Sequence, residues 1–356
     1  MENNYENQSY DTEVVEPNGD EAQAGCKCCS GPYIEEGYNL ELCVNCRDML
    51  AKRPIPVWIK VFSVVILAML VFTLSRFPSV IQAGVAYERG LAAEKGKNYS
   101  TASIEYKKAS EKFSDSTLVL AKLCVAQYYN MQIEEAINTF GIIAGRQDSD
   151  EDLVEKVNSV IDKIEKYYSP SEEVAKIMQA NANAGPEKLQ NELEAYLSTH
   201  PNDVFVSTYV ADKKFEEGKF EEAEKILYRI TSSNSDFQSG NLLMAAIYRE
   251  IKDYDKAIEY CQKILDINAQ STQALGSMAR IELKRGNDSK GLSLATKAYN
   301  INNNDPYTVA NMALAYHFNN MMKERDEMFE RFKSFKDIDE YNLNLLTSIF
   351  NGEKWR

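Results

Sequence analysis

The sequence predicts an all-α protein, a solenoid of paired helices that follows a small cysteine-bearing module and one apolar helix of membrane length. Three observations lead there. Small residues recur at intervals of 34 from about Ala83 onward. Glycine (16) and proline (9) are scarce across 356 residues, while Ala, Glu, Lys, Leu and Ile dominate long stretches, a composition that favours helix. One uninterrupted apolar run, IPVWIKVFSVVILAMLVFTL, occupies positions 55–74.

The first segment, 1–24, holds seven acids (Glu2, Glu6, Asp11, Glu13, Glu16, Asp20, Glu21) and no base. It contains too little apolar surface to offset the entropy of ordering, so a disordered acidic tail is expected. It has neither the basic start nor the early apolar core of a secretory leader.

Five of the seven cysteines lie close together: Cys26, Cys28, Cys29, Cys43 and Cys46. The order CxxC, thirteen residues, CxxC supplies four thiolates from two short turns to one tetrahedral ion. This pattern resembles a zinc ribbon or a rubredoxin-like knuckle pair over 25–50. The resemblance implies structural Zn²⁺ held by Cys26, Cys29, Cys43 and Cys46, with iron and a redox switch as the alternatives. A module of some 25 residues scarcely folds without such a staple. Cys28 could replace Cys26 or Cys29, but two adjacent cysteines do not readily share one ion.

The apolar run predicts a transmembrane helix over 55–76, since twenty helical residues rise about 30 Å, the thickness of a bilayer core. Lys60 can snorkel to the interface beside Trp58. Arg47, Lys52, Arg53 and Lys60 precede the span, whereas Arg76 and Arg89 follow it. That excess places the amino terminus in the cytoplasm and the rest outside, on a single-pass anchor in the cell membrane. Zinc-binding cysteines on the reducing side agree with this orientation.

Ala211, Ala245, Ala279 and Ala313 are spaced by 34, as are Ala223, Ala257 and Gly291, and Ala102 and Ala136. A coiled coil would need a multiple of seven. Two small positions per period suit a helix pair: the first lets helices A and B approach, the second lets B meet the next A. Tyr106, Phe140, Leu227 and Tyr248 fill the holes between them. This pattern resembles the tetratricopeptide repeat. The frames are 83–116 and 117–150, giving two units over 83–150, then four units over 204–339, the last degraded by Arg325 at a small position. Between them, 151–169 reads as an extra helix with Val154, Val157, Val160, Ile161 and Ile164 on one face. Residues 170–203 form a divergent repeat, so 151–203 interrupts the array. Residues 340–356 supply a capping helix and tail through Leu343, Leu345, Leu346 and Ile349. Cys124 and Cys261 fall at core positions of the repeat.

The resemblance implies a concave groove for a protein or peptide ligand, lined by the A helices. Thr208, Asp212, Phe215, Arg249, Arg280 and Lys284 stand at groove positions, and the Lys and Asn set with which family members clamp a carboxylate is absent. Tyr307, His317 and Phe318 either add an aromatic patch or pack under the cap. No phosphate loop, nucleophile elbow or histidine metal motif is present, and the two histidines, His200 and His317, are far apart, so neither an enzyme nor a small-molecule substrate is expected. A net charge of −14 disfavours nucleic acid and biases partners towards basic or apolar surfaces. The expected function is a membrane-anchored scaffold for protein interactions with a cytosolic structural zinc module. The alternatives are a transmembrane regulator whose zinc module engages a cytosolic effector, and a cell-envelope assembly or secretion factor.

Overall fold

The computed structural model describes residues 25–52, 55–146, 150–336 and 338–356. The acidic tail expected over 1–24 lies outside the described residues. Among those described there are seventeen α-helices and no strand. They form two compact units that divide between Ser75 and Arg76.

The first unit contains the cysteine loop, α1 (Val44–Ala51) and the start of α2 (Val57–Lys95). The strands that a zinc ribbon would supply are not formed. Instead the second CxxC opens a helix: Cys43 is the N-cap and its sulfur accepts the backbone N–H of Cys46 at 3.4 Å. A thiolate at that place satisfies an otherwise unbonded helix donor, so the local sequence prefers helix to strand. In the first part of α2 the side chains of Val61, Phe62, Val64, Leu67, Met69, Leu70 and Phe72 are all exposed, and from Val61 to Phe72 no charged residue interrupts the helix surface. It is the one helix among the described residues long and apolar enough to cross a membrane. The span expected at 55–76 has no break at its end. The helix continues to Lys95 with Pro78 inside it, which removes one intrahelical hydrogen bond.

The second unit begins with the remainder of α2, which pairs with α3 (Tyr99–Ser110) around Tyr106. Then follow α4 (Thr117–Tyr129) with α5 (Ile133–Ile143), and a lone α6 (Glu151–Tyr168). The next pairs are α7 (Glu172–Asn181) with α8 (Pro186–Thr199), α9 (Val204–Glu216) with α10 (Phe220–Ser233), and α11 (Gln238–Glu250) with α12 (Tyr254–Ile267). Finally come α13 (Thr272–Arg285) with α14 (Asp288–Ile301), α15 (Pro306–Phe318) with α16 (Met322–Lys333), and α17 (Glu340–Phe350). Ser116, Asp203, Ser271, Asp305 and Asp339 cap the helices they precede with side-chain oxygens. The buried face of α6 carries Leu153, Val157, Val160, Ile164 and Tyr167. The helix is thus rotated from the expected face, because Val154 borders an open crevice beside α5 and Ile161 is only partly covered.

The small residues sit where close approach demands them. Ala102, Ala136, Ala211, Ala223, Ala245, Ala257, Ala279 and Ala313 are fully buried. A Cβ on Gly90 would lie 2.5 Å from the Tyr106 ring, in the same repeat. One on Gly291 would lie 2.6 Å from Leu283 and 3.2 Å from the Ala279 carbonyl, again within its own repeat. The second small position of that unit therefore serves contact between paired helices, where the sequence suggested contact with the next unit.

A second periodicity appears in the backbone. Lys97, Met131, Gly218, Lys252, Gly286 and Asn320 all have left-handed φ, between 54° and 91°, in the turns between paired helices. Within each group the interval is 34. Between Met131 and Gly218 it is two periods plus nineteen residues, the length of 151–169. Four of the six residues have a Cβ, which costs roughly 1–2 kcal/mol in this conformation. Lys252→Gly should accordingly stabilise the fold by about 0.5–1 kcal/mol, after the entropy that glycine loses on folding. Urea denaturation measures this, and a net loss would mean that the lysine side chain holds the turn.

The array does not extend as a simple coil. The turn after α2 folds against the turn between α12 and α13. The Tyr99 N–H donates to Asn268 Oδ1 at 3.1 Å, the Ala269 N–H to the Lys97 carbonyl at 2.9 Å, and the Thr101 N–H to Gln270 Oε1 at 3.0 Å. Asn268 Nδ2 reaches Asn130 Oδ1 at 3.2 Å. Further along, Asp236 takes the ammonium of Lys163 at 2.7 Å and the hydroxyl of Tyr167 at 2.9 Å, while the Tyr167 ring lies 4.7 Å from that of Phe237. The first two repeats and α6 thus dock on the inter-repeat turns of the later ones.

Candidate metal centre and binding groove

Residues 25–46 fold around sulfur. Cys26 N–H donates to the Gly31 carbonyl, and Ser30, at φ 58°, closes the turn with an N–H to the Cys26 carbonyl. The Lys27 N–H to Glu41 and the Glu35 N–H to Leu42 lay the second cysteine pair against the first. Arg47 bonds Glu35 at 2.7 Å and covers the Tyr38 ring at 3.7 Å. As a result the sulfurs of Cys26, Cys29, Cys43 and Cys46 lie within 4.8 Å of one another, with Cys29 and Cys43 at 3.7 Å. A tetrahedral ion with Zn–S bonds of about 2.3 Å separates its sulfurs by about 3.8 Å.

The electrostatics of the four thiols differ. The backbone N–H of Cys43, 3.2 Å from the Cys26 sulfur, and then that of Cys29 lower the Cys26 pKa to about 6. Cys46 is raised, first by the sulfur of Cys43 and then by that of Cys29. Four thiolates this close repel one another unless a cation lies between them, so the donor set fits a thiophilic metal ion. Cys28 is exposed and stands outside the set. Cys124 and Cys261 are fully buried in the repeats.

The groove forms in the second unit where α9, α11, α13, α15 and α17 face one cavity of about 290 Å³. Four of the sequence-derived candidates, Asp212, Phe215, Arg249 and Arg280, line it. Thr208 and Lys284 are not part of its wall. Thr208 donates its hydroxyl to the Val204 carbonyl of its own helix. Lys284 pairs with Glu250 at 2.6 Å and covers the Trp355 ring. Leu242, Leu243, Ser277, Tyr341 and Asn342 join the lining; the last two come from the capping helix. Tyr307 lies in the groove, under Arg280 at 5.0 Å. His317 and Phe318 do not: they stack on Phe350 and Trp355 beneath the cap, at 5.1 and 5.4 Å.

Both arginines are buried, Arg249 at 5% and Arg280 at 3% exposure. Arg249 Nε donates to Glu250 at 2.8 Å, whereas Arg280 donates to the amide oxygens of Asn311 and Asn342, each at 2.5 Å. Burial raises the Asp212 carboxyl above its ordinary pKa, and Glu216 adds to the shift. Sequence reasoning missed Tyr341 and Asn342 because the return of α17 to the groove follows from the superhelical path of the repeats.

Residues 214–281 match the tetratricopeptide-repeat family model. No curated protein matches the chain in sequence. Among solved structures, a tetratricopeptide repeat protein from Parabacteroides merdae is 13% identical, with 76% of this chain and 99% of that chain covered at a TM-score of 0.41. MamA from Desulfovibrio magneticus is 14% identical, with 45% and 91% covered at 0.37. Superpositions at these scores say nothing of ligand or role. From the end of α9 into α13, then, the chain carries tetratricopeptide repeats.

Proposed function

We propose that this protein is a membrane-anchored scaffold that holds a partner protein in the groove of its repeat array. The observation that carries the reading is the cavity to which α9, α11, α13, α15 and α17 each contribute side chains. The apolar part of α2 is the anchor. In this reading the amino-terminal module is cytoplasmic and the array lies outside, as the excess of bases before the span favours. Asp212, Phe215, Arg249 and Arg280 contact the partner directly, and Lys284 acts through Glu250. A photo-crosslinker at Ser277, in the cavity wall, should capture a partner that one at Lys323, on an exposed helix face, does not. Equal capture at both positions would sink the reading. Protease added to intact cells should degrade the array, and an uncut array would reverse the orientation.

Within this reading Cys26, Cys29, Cys43 and Cys46 hold one zinc ion, whose role is to fold the module. Purified full chain should contain one equivalent of zinc, and Cys43→Ser should lose it together with the amide protection of 25–50. Iron in place of zinc would show as visible absorption from thiolate charge transfer.

A further inference from the structure

The groove is short of carboxylate where it is richest in buried positive charge. Arg249 and Arg280 both line the cavity, and the one acid that pairs with Arg249, Glu250, is shared with Lys284 behind the wall. Arg280 makes no ion pair: its two hydrogen-bond partners are neutral amide oxygens on α15 and α17, and Asp339, whose charge reaches it, is bonded instead by Asn342 Nδ2 at 2.5 Å. Asn311, which receives one of these bonds, keeps a buried Nδ2 donor with no acceptor. Taking a guanidinium out of water is costly unless an anion compensates it. Burial is the largest influence on Arg280 and lowers its pKa, and the nearby charge of Arg249 acts in the same direction. The acid in the cavity wall, Asp212, is on α9 and makes no ion pair with either arginine. Phe215, Leu242 and Leu243 line the same cavity.

We propose that the groove selects a partner segment bearing an aspartate or glutamate side chain, whose carboxylate seats between Arg249 and Arg280 with adjacent apolar side chains along Leu242, Leu243 and Phe215. The proposal rests on the reading of this groove as the binding face. It assigns the arginines a ligand opposite in sign to the one that the net charge of −14 favours for the surface as a whole. A carboxylate there accepts charge-assisted bonds from two guanidiniums, whose planar forks suit it. Tyr307 and Tyr341 border the same place and can cover the bound segment.

The test pans a random dodecapeptide phage library on the full chain in lipid nanodiscs, with peptides displayed so that no free carboxy terminus is presented. Groove binders are those whose retention is lost on Ala246→Trp, which fills the cavity. They should share one acidic position, and its change to the amide should weaken binding about tenfold to a hundredfold. Arg280→Gln should do the same, and the two changes together should cost little more than either alone. Because Arg280 also ties α13 to α17, Arg249→Gln is the second variant, with thermal melting as the control for folding. Groove binders without an acidic position, or additive losses, would overturn the carboxylate subsite while leaving the groove as a binding face. If Ala246→Trp releases no selected peptide, the groove reading fails and this inference fails with it.

Discussion

Phe237→Ala should cost about 3–5 kcal/mol, the range for removing a fully buried aromatic ring from a packed core. Phe237 is 1% exposed, although it stands in a turn just before α11. Its ring meets those of Tyr167 at 4.7 Å and Tyr168 at 5.9 Å, and a Cβ on Gly240 would lie 2.4 Å from it. The loss should be uneven. The core of α13 to α16 makes no use of Phe237 and should keep its hydrogen-exchange protection, while α6 and the turn at 97–101 lose theirs. A cost under 1 kcal/mol, or uniform loss of protection, would show that the early repeats do not depend on this contact.

The second large effect is electrostatic. Glu94, near the end of α2, takes the Tyr106 hydroxyl at 2.7 Å, Lys156 at 2.7 Å and Lys122 at 3.2 Å, and so joins α2, α3, α4 and α6. Burial alone would raise its pKa, but the bonds from Lys156 and Tyr106 and the charge of Lys122 together lower it. Glu94→Gln leaves two ammonium groups facing each other with no anion between them. A fully buried pair broken in this way costs roughly 3–5 kcal/mol, and the partial exposure of Lys156 reduces the expectation to about 2 kcal/mol at pH 7. The sign with pH follows from the lowered pKa. The contribution of the carboxylate is complete above the unfolded value, about 4.3, and is lost as pH falls through the folded value below it. Denaturation curves of wild type and variant should converge as pH falls below the unfolded value of about 4.3. A gap unchanged over that range would mean that Glu94 stays protonated or unpaired in the fold.

Much of the architecture is legible in the chain because the same packing problem is solved every 34 residues. Ala211, Ala245, Ala279 and Ala313 betray it, since nothing larger fits between paired helices. The cysteine spacing is equally legible, for two CxxC turns have few other uses. Its secondary structure is not, because a sulfur N-cap turns the second pair into a helix start and the spacing is silent on that. The left-handed turns escaped notice because only Gly218 and Gly286 advertise them, while Lys97, Met131, Lys252 and Asn320 do not. The contacts between early and late repeats were hidden for a different reason. Asn130, Asn268 and Gln270 look like ordinary turn residues, and nothing local signals that they meet across the fold.

That meeting alters how the chain must reach its native state. A repeat array in which each unit touches only its neighbours can start anywhere and grow outward, so its folding is close to one-dimensional. Here Tyr99 bonds a residue 169 positions away. By the logarithmic law for bringing chain ends together, closing a loop of that length costs about 1.4 kcal/mol more than closing one of 34 residues. The first two repeats therefore acquire their full stability only after α12 and α13 have been synthesised and packed. Until then their turn polar groups face water, and a nascent chain stalled before α13 presents an unfinished edge to chaperones.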